Sequence, residues 1–161
     1  MMPIVYLSLG SNIGDKTAQI TQALDRIAKV CDIKRVSPFY LTEPVEFKDQ
    51  DWFLNCVAEV ETEKDPKKLL SSLQSIEKKM GKTKTKANGP RTIDIDILFY
   101  DDQVVNLKNL VIPHPRLHTR LFVLQPMIDL NPSFLHPVLK KTIQELYAEQ
   151  PWAEIVTPYK S

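Results

Sequence analysis

The chain has 161 residues, a length suited to one domain spanning 1–161, and with 43% hydrophobic residues it can bury a core without covalent staples. Its net charge of +1 excludes broad electrostatic adhesion to nucleic acid or an acidic membrane, and two cysteines, Cys31 and Cys56, are too few for a disulfide framework or a thiolate zinc site. No apolar stretch approaches the roughly 20 residues of a membrane span and no leader precedes the first strand-like run, so reduced thiols and a cytoplasmic location are expected.

Residues 4–9 are rich in β-formers and stop at the turn cluster Gly10-Ser11-Asn12, which predicts a central first strand. Asp15 is placed to cap a helix whose apolar face is Ile20, Leu24, Ile27 and Val30. Residues 33–41 return as a strand, and Pro38 inside it requires an edge or a bulge. Residues 42–52 form a long connection and a candidate binding loop. From residue 53 to 61 the pattern alternates: Leu54, Cys56, Ala58 and Val60 point to a helix-covered core, and Phe53, Asn55, Val57 and Glu59 point the other way. Asp65-Pro66 opens a second helix with a stripe of Leu69, Leu70, Leu73, Ile76 and Met80, ending at Gly81. A basic loop over 82–88 delivers the chain to Gly89-Pro90-Arg91.

The segment Thr92-Ile93-Asp94-Ile95-Asp96-Ile97-Leu98-Phe99 alternates aliphatic and acidic residues, the period of a strand. Ile93, Ile95 and Ile97 enter the core, and Asp94 and Asp96 project from the opposite face about 6.6 Å apart. Two like charges there need a cation, and Mg²⁺ held by both carboxylates with phosphate oxygens gripped by Arg91 satisfies that need. A solvated, charged sheet face is the alternative. After a turn at Asp101-Asp102, Val104-Val105 is expected to pair back as a short hairpin arm. His114, Arg116, His118 and Arg120 then fall within seven residues and can reach anionic oxygens; a zinc pair of His114 and His118 lacks an evident third ligand. Prolines crowd residues 123–161, so only a helix over 142–149, with Ile143, Leu146 and Tyr147 inward, looks regular there.

The order strand, helix, strand, strand, helix, strand predicts an α+β fold with a ferredoxin-like βαββαβ core. Both helices lie on one face of the antiparallel sheet, and the C-terminal extension covers the second face to give α-β-α layers. Asp94, Asp96, Asn55 and Phe53 then share the face free of the first two helices. A single-stranded RNA-binding module uses such a face with stacked aromatics and basic loops, but paired aspartates repel a phosphate backbone.

Three motifs, Leu9-Gly10-Ser11-Asn12, the run Gly89 to Leu98, and Pro113-His114-Pro115-Arg116-Leu117-His118-Thr119-Arg120-Leu121-Phe122-Val123-Leu124, give a chain that resembles the 6-hydroxymethyl-7,8-dihydropterin pyrophosphokinases of folate biosynthesis over essentially its whole length. The resemblance implies transfer of pyrophosphate from ATP, the co-substrate, to the hydroxymethyl group of the pterin, with release of AMP. It implies two Mg²⁺ ions on Asp94 and Asp96, and a catalytic set of Arg91, Asp94, Asp96, His114 and Arg120. The positions matching nucleotide contacts are Gln74, Glu77, Lys82, Lys84, Arg91, Ile97, His114, Arg116 and Arg120. Those matching the pterin pocket are Thr42, Pro44, Val45, Phe53, Asn55, Asp94 and Phe122, with Phe53 and Phe122 stacking on the ring and Asn55 reading its amide-like edge. The expected partners are these two small molecules, without nucleic acid or membrane, acting on a monomer.

The chain departs from the common family pattern at three points. Asn88 stands where many members have Trp before Gly-Pro-Arg, Lys82 and Lys84 replace arginines and lose the planar fork, and Val45-Glu46 follows Pro44 where a glycine is common.

Overall fold

The computed structural model describes residues 2–43, 51–81, 92–150 and 156–159. The elements run β1 (Ile4–Ser11), α1 (Lys16–Ile27), β2 (Asp32–Val36), β3 (Tyr40–Thr42), β4 (Phe53–Glu61), α2 (Pro66–Lys79), β5 (Asp94–Tyr100), β6 (Val105–Leu107), β7 (Leu110–Ile112), α3 (Leu121–Leu130), α4 (Ile143–Glu149) and β8 (Val156–Pro158). A short 3-10 turn over Leu117–Thr119 precedes α3. The main sheet has the order β5-β1-β4-β3-β8, with β2 also on β4, and the pairings of its strands are antiparallel. Among the described residues no helix is long and apolar enough to cross a membrane.

Both early helices start where a carboxylate satisfies a free backbone N–H. Asp15 accepts from Ala18 N at 3.1 Å and Asp65 from Lys68 N at 2.9 Å, with Pro66 at the head of α2 where its missing N–H costs nothing. Ile20, Ala23 and Ile27 of α1, and Leu69, Leu73 and Ile76 of α2, recur at three- and four-residue spacing and are buried. They pack on Val5, Leu7, Leu9, Leu54, Cys56, Ala58, Val60, Ile95 and Ile97, the alternate residues of β1, β4 and β5. At the end of α2, Gly81 takes a φ of +87°, which a side chain would oppose.

The strand expected over 33–41 is two strands. Pro38 has no N–H for the ladder, so the chain leaves β4 between β2 and β3, and the Ser37 hydroxyl accepts from Val57 N at 2.9 Å while Ser37 N donates to Val57 O at 2.9 Å. Pro38 therefore marks an interruption. β3 is not an edge, because β8 pairs on its outer side. A second irregularity lies between β1 and β5, where the register slips at Tyr6/Leu7. Leu98 and Phe99 in consequence both join the second-face cluster, and Tyr100 returns to the helix side.

The second face is covered by α3 and α4, whose Leu121–Leu130 and Ile143–Glu149 spans supply Val123, Leu124, Met127, Leu130, Ile143 and Leu146 to a cluster with Tyr6, Val57, Leu98 and Phe99. The helix over 142–149 is present and capped reciprocally by Thr142 and Glu145. Two expectations are corrected. Val105 pairs with Ile112 in a separate β6-β7 hairpin, so this arm folds on the residues after it. α3 is regular despite Pro126: the ring leaves Phe122 O without its helical donor, but six of the helix's ten residues are buried, and this packing outweighs one lost hydrogen bond.

Candidate active site

At one end of the sheet the register lays out two rows on the second face. Asp94 pairs with Gly10, Gly10 with Asn55, and Asn55 with Tyr40; Asp96 pairs with Ser8 and Ser8 with Val57. Strand spacing puts the Asp94 and Asn55 backbones about 10 Å apart with Gly10 between them. A Cβ on Gly10 would lie 2.6 Å from Asn55 Oδ1, so the absence of a side chain there lets the amide lean over the strand. Asn55 is 4% exposed, and its Nδ2 donates to Thr42 Oγ1 at 2.7 Å. That bond leaves the second N–H and Oδ1 for a ligand edge that presents both an acceptor and a donor. Phe53 is next along the same face of β4, half-buried, with Cδ1 3.8 Å from that same point above Gly10.

The aspartates sit on the outermost strand of this side. Asp94 is half-buried and Asp96 exposed. The strand's outer edge is held from two directions: Glu77 Oε2 of α2 accepts from Ile95 N at 2.8 Å, and His114 N donates to Leu98 O at 3.0 Å. Two oxygen-donor carboxylates on one face suit a hard cation such as Mg²⁺, which takes few protein ligands and completes its shell with water and phosphate oxygens. Among the described residues no group of three or more His, Cys, Asp or Glu could hold a metal by itself.

His114 follows the cis Ile112-Pro113 bond. Burial, then the charges of Arg120 and Arg116, push its pKa down to about 4, so the ring is neutral at pH 7. Its Nδ1 accepts from Arg116 N at 3.2 Å, which leaves the proton on Nε2 and makes that atom a donor. Such a tautomer presents a donor suited to an anionic oxygen. Arg120 lies with its guanidinium carbon 5.5 Å from the centre of the Phe122 ring, and Phe122 is half-buried at the head of α3.

The fold thus brings together Thr42, Phe53, Asn55, Asp94 and Asp96 on one face, and Arg116 lies exposed beside His114. Gln74 is exposed on α2. Ile97 is 5% exposed and packs within the helix-side core. Glu77 is 8% exposed and its carboxylate is engaged with the Ile95 amide, so it acts here on the strand that carries the aspartates. Pro44, Val45, Lys82, Lys84 and Arg91 lie outside the described residues, as do Glu46 and Asn88. Gly10 and Ser8 of β1 lie between the aspartates and β4 on this face. Their signal is small residues at period two within an otherwise apolar strand, a gap on one face.

The family model described as 7,8-dihydro-6-hydroxymethylpterin-pyrophosphokinase matches residues 6–132. The chain is 47% identical over 150 residues to the folic acid synthesis protein fol1 of Schizosaccharomyces pombe, covering 92% of this chain but 20% of that protein. It is 37% identical over 148 residues to the 2-amino-4-hydroxy-6-hydroxymethyldihydropteridine pyrophosphokinase of Aquifex aeolicus, covering 92% of both. The chain therefore spans about a fifth of the first relative's length and nearly all of the second. A crystal structure of Plasmodium falciparum HPPK-DHPS with pteroate superposes with a TM-score of 0.77 over 92% of this chain and 42% of that one, at 19% identity, a likeness of fold. The RNA-binding alternative finds no support among these matches. The chain belongs to the 7,8-dihydro-6-hydroxymethylpterin-pyrophosphokinase family.

Proposed function

We propose that this chain, as one domain over residues 1–161, transfers the terminal pyrophosphoryl group of ATP to the hydroxymethyl group of 6-hydroxymethyl-7,8-dihydropterin and releases AMP, in folate biosynthesis. It does so as a cytoplasmic monomer with two Mg²⁺ ions. The observation that carries the reading is the row Asp94, Gly10, Asn55, with Asp96 in the row beside it: carboxylates at one side, a buried amide at the other, and a glycine without side chain between them.

In this reading Asn55, fixed by Thr42, orients the pterin by its amide-like edge, and Phe53 and Phe122 stack on its faces in offset geometry. The hydroxymethyl group then lies toward Asp94 and Asp96. Its oxygen attacks the β-phosphorus of ATP and gives up its proton to solvent, the bond from that phosphorus to the oxygen bridging it to the α-phosphate breaks, and AMP departs with that oxygen. Asp94 and Asp96 would hold Mg²⁺, which would supply neutralisation of charge on the phosphate oxygens. His114 Nε2–H, Arg116, Arg120 and Arg91 hold phosphate oxygens, and the residues contribute by positioning and charge complementarity. Lys82 and Lys84 add point charges on the nucleotide side, and Gln74, Glu77 and the Ile97 backbone flank it.

The test is pterin-dependent AMP formation from ATP and Mg²⁺. Asp94→Ala and Asp96→Ala are each expected to lower kcat by about a hundred- to a thousandfold with the circular dichroism unchanged. Near-normal turnover in both variants refutes the assignment of the metal-holding pair.

A further inference from the structure

Tyr40 lies one strand beyond Asn55 in the same row, and is buried. Its hydroxyl donates to Asp129 Oδ2 in α3, and Gln125, one helical turn before Asp129, also reaches that hydroxyl. Burial first, then the Asp129 carboxylate, push the Tyr40 pKa up to about 12, so the phenol keeps its proton and remains the donor. Phe122, Gln125 and Asp129 stand at i, i+3 and i+7, one stripe of one helix. The strand that carries Tyr40 also carries Thr42, the hydrogen-bond partner of Asn55. A single hydroxyl thus joins the helix bearing one stacking aromatic to the strand that fixes the amide.

The tie spans an interruption in α3. Pro126 interrupts its hydrogen-bond ladder between Phe122 and Asp129, and its buried side chains are aliphatic contacts that resist sliding weakly compared with a directional bond to a charged acceptor. We propose that the Tyr40–Asp129 pair, with Gln125 beside it, is a positioning clamp that sets the height of Phe122 over the pterin seat. None of the three is a catalytic residue. The inference rests on the assignment of that seat to Phe122 and Asn55 given above.

The experiment has two arms. The first measures amide hydrogen exchange over Leu121–Leu130 without substrates: Tyr40→Phe and Asp129→Ala should each speed exchange there, and Asp129→Asn, which keeps an acceptor, should restore protection. The second titrates the pterin against protein saturated with a nonhydrolysable ATP analogue and Mg²⁺. The pterin Kd should rise about five- to tenfold in Tyr40→Phe and in Asp129→Ala, no further in the double variant, and return near normal in Asp129→Asn. The Kd of the analogue should move less than that of the pterin, because of the phosphate-holding side chains only Arg120 adjoins α3, while His114 and Arg116 stand on the segment before it. Unchanged exchange in both single variants overturns the clamp whatever the substrate is, and so does an equal loss of pterin and nucleotide affinity. A wild-type protein that shows α3 protection dependent on Asp129 yet binds no pterin keeps the clamp and overturns the function proposed above.

Discussion

Gly10 is the smallest residue of the site and among the least replaceable. A methyl group there would sit 2.6 Å from Asn55 Oδ1, inside contact distance of an amide that is itself tied to Thr42. Gly10→Ala is expected to raise the pterin KM about tenfold or more while leaving the KM for ATP near normal, measured by steady-state kinetics with each substrate varied. The aspartates and Asn55 were legible because alternation assigns each residue a face. The need for glycine was not, because it arises from a neighbour 45 positions further along the chain. His136 shows a different side-chain constraint. Its Nδ1 accepts from both Val138 N and Leu139 N, its ring packs edge-on to Phe99 at 5.5 Å, and burial, then nearby His118, pushes its pKa down to about 4. The unfolded chain protonates near the usual 6.5, before the folded one does, so stability is lost as the pH falls from about 6.5 to about 4. His114 acts in the same direction. Urea midpoints across this window should fall less steeply in His136→Asn than in the parent; parallel slopes refute the assignment.

Among the elements, α1, α2 and α4 announce themselves by a capping side chain followed by an apolar stripe. α3 does not. It is apolar almost all round and contains Pro126, so neither a stripe nor a clean start is visible, and only burial against both the sheet and α4 makes it a helix. The pairing of β8 with β3 is equally hidden, since three residues far along the chain carry no register signal. β5 illustrates how an outer strand is kept in place: Glu77 closes its edge between the two aspartates by taking the Ile95 amide. Glu77→Ala leaves that amide without its acceptor and is expected to cost about 1–3 kcal/mol in urea unfolding, whereas Glu77→Gln keeps an acceptor and should cost less. Equal losses would falsify a role through this hydrogen bond.

For the whole molecule, the order of strands and helices along the chain was enough to read the four-strand antiparallel core with two helices on one side, because short connections and face patterning leave few arrangements. The additions at the periphery, β8 and the β6-β7 hairpin, depend on pairings that pattern alone does not encode. β8 reinforces the site at a distance: it pairs along β3, and Tyr159 N donates to Phe39 O at 2.9 Å. Deleting residues 151–161 should lower the unfolding midpoint and weaken pterin binding together, since it bares the outer edge of the strand that carries Thr42. An intact midpoint in the truncated protein counts against this coupling.

The apolar cladding supplied by α3 and α4 takes in Tyr6, Val57 and Leu98, and the row of Asp94, Gly10 and Asn55 is the next one along these strands. A flat heterocycle settling on that row would continue the layer the helices began. Association should then carry the thermal signature of a growing interior: a negative heat-capacity change, visible as a calorimetric binding enthalpy that becomes more favourable with each rise in temperature.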